Sequence, residues 1–419
     1  MPSLDLGTPQ RVHLVGVGGA GLNAMAEVLV AMGHTVSGSD ATPSPVLDRL
    51  RDGGVVVHVG HDAAQIDGAG VVAASTAIPP DNPEVVAARA AGVPVLRRAD
   101  LLAAMCALRR TVGVAGTHGK TTTSAMLATI LLAAVPDTSF VVGGDLVALG
   151  SGAQWRDGDW FVVEADESDG TFLQLPVEVA VVTSVEPDHL EHWGSFDALV
   201  DGFGRFLTAA RAQVVCGDDE SAAALARRFA LATYGFGPDN ATRLSGYAGT
   251  RGGCRFTVAH EGRAVEVVLP VPGRYNARNA TAALLAASIL GVPVAEGAAA
   301  LGGYRGVARR AHVRGERDGV TYVDDYAHLP GEVSAALAAA GEGGWRRVVC
   351  AFQPHRYSRT EALWRDFAHA FDGADVLAVT EVYPAGEPPR PGVTGKLIVD
   401  AVLEATPHRR VAWFPTHDG

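Results

Sequence analysis

Four groups of residues carry the chemistry available to this sequence. The first is Gly16-Val17-Gly18-Gly19-Ala20-Gly21, with Asp40 following at about the 20-residue distance of a dinucleotide fingerprint. Gly16, Gly18, Gly19 and Gly21 would let the chain turn from a strand into a helix N-terminus. The N–H groups and dipole there hold a diphosphate, and Asp40 accepts from a ribose hydroxyl. The pattern leaves two things open: the glycines could serve only a tight turn, and NAD is not distinguished from another nucleotide diphosphate.

The second group is Gly116-Thr117-His118-Gly119-Lys120-Thr121-Thr122-Thr123. It reads as a phosphate-cradling loop, with Lys120 neutralising β and γ phosphates and Thr121 reaching Mg²⁺. Val114 stands where a strict Walker sequence has its first glycine, so the loop is a shorter relative that keeps the GK[ST] end. The third group is a pair of acidic segments, Glu164-Ala165-Asp166-Glu167-Ser168-Asp169 and Glu186-Pro187-Asp188-His189, each after an apolar strand. In a parallel sheet both leave the edge that carries the phosphate loop. Magnesium prefers oxygen, which makes Glu164 the stronger ligand and His189 the less usual one. The fourth group is Asp324-Asp325-Tyr326-Ala327-His328 together with Gln353-Pro354-His355-Arg356-Tyr357-Ser358-Arg359. Arg356 and Arg359 are suited to clamp a carboxylate, because a guanidinium fork pairs with it bidentately. Arg309-Arg310 could reach a γ phosphate, and a solvated basic pair fits the same spacing.

These groups need strands and helices to hold them. Arg11 to Val17, Leu22 to Met32 and a strand entering Asp40 make a βαβ start, with further strands at Val72–Ala77 and Val93–Leu96. From Thr111 the pattern restarts as strand, glycine turn, helix over Thr121–Leu132, and strands at Trp160–Glu164 and Val179–Ser184. CRFTVAHEGRAVEVVLPV, from Cys254 to Val271, alternates as an antiparallel hairpin does. A third unit opens after Gly303, with strands near Val320–Val323, Arg347–Ala351 and Val376–Val379 and a helix over Glu361–Ala370. The fold class is therefore α/β: a doubly wound domain over 1–107, a nucleoside-triphosphate-binding domain over 108–305, and a third domain over 306–419.

Composition bounds the function. With 34 Lys and Arg against 46 Asp and Glu, the net charge of -12 gives no broad footprint for nucleic acid or anionic lipid. Cys106, Cys216, Cys254 and Cys350 lie far apart without a CxxC pair, as expected of reduced thiols in a cytoplasmic protein. The longest apolar stretch, near Ala125 to Val135, is short of the ~20 residues of a membrane span.

In order along the chain, VHLVGVGGAGLNAMAEVL, AGTHGKTTTSAML, VEADESD, EPDHLEHWG, GRYNARNATAALLAA, DDYAHLP, FQPHRYSRT and AGEPPRPG resemble the Mur ligases of peptidoglycan synthesis. FQPHRYSRT resembles the branch that adds L-alanine, not the one that recycles murein tripeptide. The resemblance implies a three-domain architecture with Rossmann-like first and last domains, and an ATP- and Mg²⁺-dependent ligase joining L-alanine to the lactyl carboxylate of UDP-N-acetylmuramate through an acyl-phosphate. It assigns Gly16 to Gly21 and Asp40 to the UDP end of that substrate, Lys120 and Thr121 to ATP and magnesium, and Glu164 and His189 to the remaining metal contacts. It further assigns Asn276 and Asn279 to adenine, Asp325 to the ATP ribose, Arg310 to the γ phosphate, and Tyr326, His328, Arg356 and Arg359 to the L-alanine pocket. His328 is also the expected base for the attacking amine. Three positions depart from the family: Tyr275 and Leu329 replace histidines, and Ser184 replaces an asparagine. The family also commonly continues past the equivalent of Gly419, so the third domain is expected to be shorter than usual.

Two other readings start from the same residues. An NAD-dependent oxidoreductase would use the glycine fingerprint and leave the GK-Thr loop and the Glu164/His189 pair without a role. An ATP-binding regulatory or scaffold protein would keep the loop and lose turnover. Oligomeric state is not legible.

Overall fold

The computed structural model describes residues 4–415; the outermost residues of the first and last expected domains, 1–3 and 416–419, lie outside them. The first strands are β1 (Arg11–Val15), β2 (Thr35–Asp40), β3 (Val56–Val59), β4 (Val71–Ala74) and β5 (Val95–Arg97). They form one sheet in the order β3-β2-β1-β4-β5 with every pair parallel. Order reverses beside β1, so its C-terminal end is the crevice of a doubly wound sheet, where the glycine turn emerges. Val12, Leu14 and Val15 are fully buried, as a strand covered on both faces requires. β3 carries no clear strand signal in the sequence, because Val56 and Val59 are exposed and it shows no clean alternation.

The second sheet has ten strands. They are β6 (Arg110–Ala115), β7 (Ser139–Leu146), β8 (Ser151–Gln154), β9 (Trp160–Glu164), β10 (Val179–Val182), β11 (Ala212–Cys216), β12 (Thr233–Gly235), β13 (Thr242–Thr250), β14 (Gly253–His260) and β15 (Arg263–Leu269). Their order is β15-β14-β13-β12-β11-β10-β6-β9-β7-β8. β6 lies between β10 and β9, parallel to both, which sends three chain segments off one edge. The expected hairpin over Cys254–Val271 exists as β14 and β15, and β13 joins it to the parallel strands as part of the same sheet. Glu261 and Gly262, both at positive φ, form the two-residue turn between β14 and β15. An aromatic group of Phe172, Phe203 and Phe206 packs beneath the sheet, with ring centroids 5.1 and 5.2 Å from Phe172.

The last strands are β16 (His312–Arg317), β17 (Val320–Asp324), β18 (Val349–Phe352), β19 (Val376–Thr380) and β20 (Val411–Phe414). β18, β19 and β20 make a parallel sheet over a core of Phe352, Phe367, Phe371 and Leu377. β16 and β17 pair as an antiparallel ribbon. The strand ending at Asp324 therefore lies outside the sheet that contains β18. The helix expected over Glu361–Ala370 is corrected to Tyr357–Leu363, followed by a 3₁₀ turn at Asp366–His369. The break lets Phe367 and Phe371 both face Phe352, at 5.3 and 5.2 Å between ring centroids.

By internal contacts the chain divides into two units, one of Met1–Ser245, Thr257–Val267 and Arg278–Ala308, the other of Gly246–Phe256, Val268–Ala277 and Arg309–Gly419. The four thiols are free, three of them buried. Among the described residues no helix is long and apolar enough to cross a membrane.

Candidate functional site

In the first unit, β6 runs into Gly116-Thr117-His118-Gly119 and then the helix Lys120–Ala134. Gly116 at φ 137° and Gly119 at φ 83° take backbone conformations that disfavour side chains. A Cβ on Gly119 would also meet Asn279 Oδ1 at 2.5 Å, so this turn admits only glycine. The helix N-cap is Gly119, with no side-chain cap and no acidic residue in the first turn. Its leading N–H groups and positive dipole end are thus suited to phosphate.

The segment after β10 builds the floor of this loop. Thr117 N donates to Ser184 O at 3.1 Å, His118 N to Ser184 Oγ at 2.9 Å, and Glu186 N to Thr117 Oγ1 at 2.8 Å. Thr183 Oγ1 donates to His118 O. Ser184 therefore supports the loop backbone directly, a role its type alone did not reveal. His118 Nε2 lies 3.1 Å from Glu186 Oε2.

Lys120 points back over the loop. Its ammonium donates to Gly116 O at 2.7 Å and to both oxygens of Glu167 at 2.8 Å. Glu167 is 2% exposed and follows β9 in the acidic run. Burial by itself lowers the Lys120 pKa, but the carboxylates of Glu167, Asp166 and Glu164 outweigh it and hold the ammonium charged. Burial pushes Glu167 up to about 7, with Lys120 opposing the rise. Asp166 is held below its ordinary value: burial raises it, and Lys120 and Arg98 more than compensate.

Glu164 ends β9 and accepts from Gly143 N at 2.8 Å. Thr121 is buried in the first helical turn. His189 sits at φ 52° between Asp188 Oδ2 at 3.3 Å and Glu191 Oε1 at 3.6 Å. Among the described residues no three or more His, Cys, Asp or Glu side chains are arranged to hold a metal. Magnesium characteristically takes one or two protein oxygens and completes its shell with phosphate and water. The Thr121 hydroxyl and Glu164 carboxylate beside a phosphate loop fit that demand.

The first glycine turn lies in the same unit. Asp40 Oδ2 accepts from Gly18 N at 2.9 Å, so Asp40 braces the turn itself. Gly16, at φ 82°, turns the chain, and the helix Ala20–Ala31 begins without a side-chain cap. A Cβ on Gly21 would collide with the Arg98 side chain, 2.7 Å from its Cδ. Arg98 in turn reaches Asp166 at 3.4 Å and Asp169 at 3.7 Å, which ties the first domain's glycine turn to the acidic run beside Lys120.

The second unit holds the other expected residues except Asn279. Both oxygens of Asp325 accept backbone N–H groups at 2.7 Å, from Ala311 and Ala327, which pins the segment carrying Arg310. Burial raises Asp325 above the usual carboxylate value despite these bonds. The guanidinium carbons of Arg309 and Arg310 lie 5.1 and 5.4 Å from the Tyr326 ring centroid. Asn276 is buried and donates to Pro272 O at 2.7 Å; Asn279, also buried, belongs to the first unit beside Gly119. Tyr275 packs its ring over Gly273, where a Cβ would come within 2.6 Å of it. Leu329 is buried at the start of the helix Pro330–Gly341, and Glu332 accepts from the N–H groups of His328 and Leu329.

Tyr326, His328, His355 and Tyr383 form a ring cluster with centroid separations of 5.2 to 5.9 Å. Arg359 Nη1 lies 3.3 Å from His355 Nδ1, and Arg356, at φ 72°, donates its N–H to Tyr383 O at 2.8 Å. Burial, then His328, Arg359 and Arg356, lower His355 to about 4, so it is a neutral ring at neutral pH. Glu167, His355 and Tyr383 have no role assigned from sequence. The first two lie inside the acidic run and the FQPHRYSRT motif; Tyr383 carries no motif signal that sets it apart from a core tyrosine.

Three family models match in succession: the catalytic domain of the Mur ligase family over 11–110, the Mur ligase middle domain over 114–287, and the Mur ligase glutamate ligase domain over 309–418. The chain is 45% identical over 417 residues to the UDP-N-acetylmuramate–L-alanine ligase of Bradyrhizobium diazoefficiens, covering 96% of this chain and 89% of that one. It is also 45% identical over 413 residues to the enzyme of the same name from Nitrobacter hamburgensis, covering 96% and 88%. Among solved structures, UDP-N-acetylmuramate-alanine ligase from Thermotoga maritima superposes with a TM-score of 0.84 at 29% identity, covering 97% of this chain and 91% of that one. UDP-N-acetylmuramate:L-alanyl-gamma-D-glutamyl-meso-diaminopimelate ligase from Neisseria meningitides gives 0.65 at 27% identity over 72% of this chain and 100% of that one. Matched from its first strand to its last by successive models of one family, the chain belongs to the Mur ligases.

Proposed function

We propose that this chain is an ATP-dependent ligase that joins L-alanine to the lactyl carboxylate of UDP-N-acetylmuramate, in the cytoplasmic synthesis of peptidoglycan precursors. The observation that carries this reading is the phosphate loop at the end of β6, flanked by the ends of β9 and β10, in a chain so similar to L-alanine-adding ligases along its length. A carboxylate oxygen of the muramyl substrate attacks the γ phosphorus, the bond to the β-phosphate oxygen breaks, and ADP leaves. The neutral amine of L-alanine then attacks the acyl carbon, phosphate departs, and the nitrogen loses one proton.

Lys120 and Arg310 stabilise the charge that develops on the transferring phosphoryl oxygens. The loop Gly116–Thr122 orients the phosphates, Asn276 and Asn279 contact adenine, and Asp325 holds the ribose. Thr121 and Glu164, with His189, would hold Mg²⁺, which neutralises phosphate charge when bound. Gly16, Gly18, Gly19, Gly21 and Asp40 receive the UDP moiety. Tyr326, His328, Arg356 and Arg359 receive L-alanine, with His328 taking the amine proton. The corresponding domains are 1–107, 108–305 and 306–419.

A phosphate-release assay with ATP, Mg²⁺, UDP-N-acetylmuramate and each of L-alanine, glycine and L-serine tests the proposal. Release that requires all components and is fastest with L-alanine supports it. Tight nucleotide binding without release in any mixture refutes it.

A further inference from the structure

An ammonium group has three N–H donors, and those of Lys120 are matched by three acceptors: Gly116 O at 2.7 Å and the two oxygens of Glu167 at 2.8 Å each. In a phosphate loop the same lysine must donate to phosphate oxygen. The two demands conflict. We propose that Glu167 is a positioning residue that competes with the terminal phosphates of the nucleotide for the donors of Lys120, and so sets how tightly the loop holds nucleotide. The inference rests on the reading of Lys120 as the ATP lysine, and adds to it a residue with no part in the motif-based assignment.

The surroundings fix Glu167 where it is. Its side chain is 2% exposed, its carbonyl oxygen accepts from Trp193 Nε1 at 3.0 Å, and Gly170 N donates to the same oxygen at 3.2 Å. The backbone is held by these two bonds and the carboxylate is buried, so Glu167 stays beside Lys120 when an anion arrives. A phosphate oxygen that takes one donor of Lys120 displaces either Gly116 O or one oxygen of Glu167, and in both cases comes to lie close to the Glu167 carboxylate. Glu167 thus presents the lysine in an ordered rotamer and at the same time opposes over-tight binding. Such an opposition keeps ADP exchangeable after phosphoryl transfer.

The test uses the full chain and measures binding of ADP and of a non-hydrolysable ATP analogue with Mg²⁺ by calorimetry. Glu167→Gln keeps the shape and removes the competing charge; its affinity for both nucleotides is expected to rise on the order of tenfold. Glu167→Asp withdraws the carboxylate by one methylene, and a smaller rise is expected. In turnover, KM for ATP and kcat are expected to fall together in Glu167→Gln, because a nucleotide bound more tightly leaves more slowly. Unchanged or weaker nucleotide binding in whichever of the two variants folds overturns the proposal, as does a lowered melting temperature with affinity unmoved. Should the wild-type chain bind nucleotide yet release no phosphate with its substrates, the ligase reading fails while the binding comparison still decides the role of Glu167.

Discussion

Replacing Lys120 by alanine separates the two tasks of that side chain. Its ammonium makes three hydrogen bonds, two of them to a carboxylate that is 2% exposed. Loss of a positioned charge at a phosphoryl-transfer site is expected to lower kcat on the order of 10² or more. Loss of the partner of a buried carboxylate costs roughly 3–5 kcal/mol of stability when the remaining charge stays ionised. The second effect depends on pH. Burial has already pushed Glu167 up to about 7, well above the ordinary glutamate value, and removing Lys120 removes the group that opposed the rise. A carboxyl whose folded pKa is raised binds its proton more readily folded than unfolded, so stability falls as pH climbs through that window. The deficit of Lys120→Ala in urea denaturation should therefore be larger at about pH 8 than at about pH 5. The double variant Lys120→Ala/Glu167→Gln should recover much of the stability and none of the activity. Near-full turnover in Lys120→Ala removes the lysine from the chemistry. A deficit that does not vary with pH, or a double variant no more stable than the single one, refutes the buried-pair argument.

Gly119→Ala forces a left-handed residue to carry a Cβ and drives that Cβ toward Asn279. It should cost about 1–2 kcal/mol in urea denaturation and weaken calorimetric nucleotide affinity severalfold. His355, lowered to about 4 by burial and by His328, Arg359 and Arg356, takes up its proton less readily folded than unfolded. Its contribution to stability is present above about pH 6.5 and is lost as pH falls toward 4, so in urea denaturation His355→Gln should show a shallower acid-side decline than wild type.

Much of the architecture was legible because local patterns carried it. An apolar strand, a glycine turn and a helix announce themselves when the strand is buried throughout after its first residue, as in RVHLV and RTVGVA. The trio of β6, β9 and β10 followed from the rule that parallel neighbours leave by one edge, and Glu164 ends its strand at the residue expected from sequence. Strands with mixed exposure, such as β3 and β13, gave no comparable signal. The helix after FQPHRY starts and breaks earlier than its sequence predicts because Arg356 enters at positive φ and Phe367 turns inward, and packing decides both.

Within the candidate site, sequence alone determined which residue types could meet phosphate, metal and carboxylate, because a glycine loop, a lysine and an acidic run have few other uses together. Tertiary structure decided which acidic residue meets Lys120. Glu164, Asp166 and Glu167 stand within four consecutive positions, and only the path of the chain beyond β9 turns Glu167 onto the ammonium and leaves Glu164 on Gly143. It likewise gave Ser184 and Asp40 backbone donors to hold, and set His355 against Arg359. A residue's type limits what it can bond, but the partner it bonds is set by contacts far apart in the chain, which no local spacing encodes.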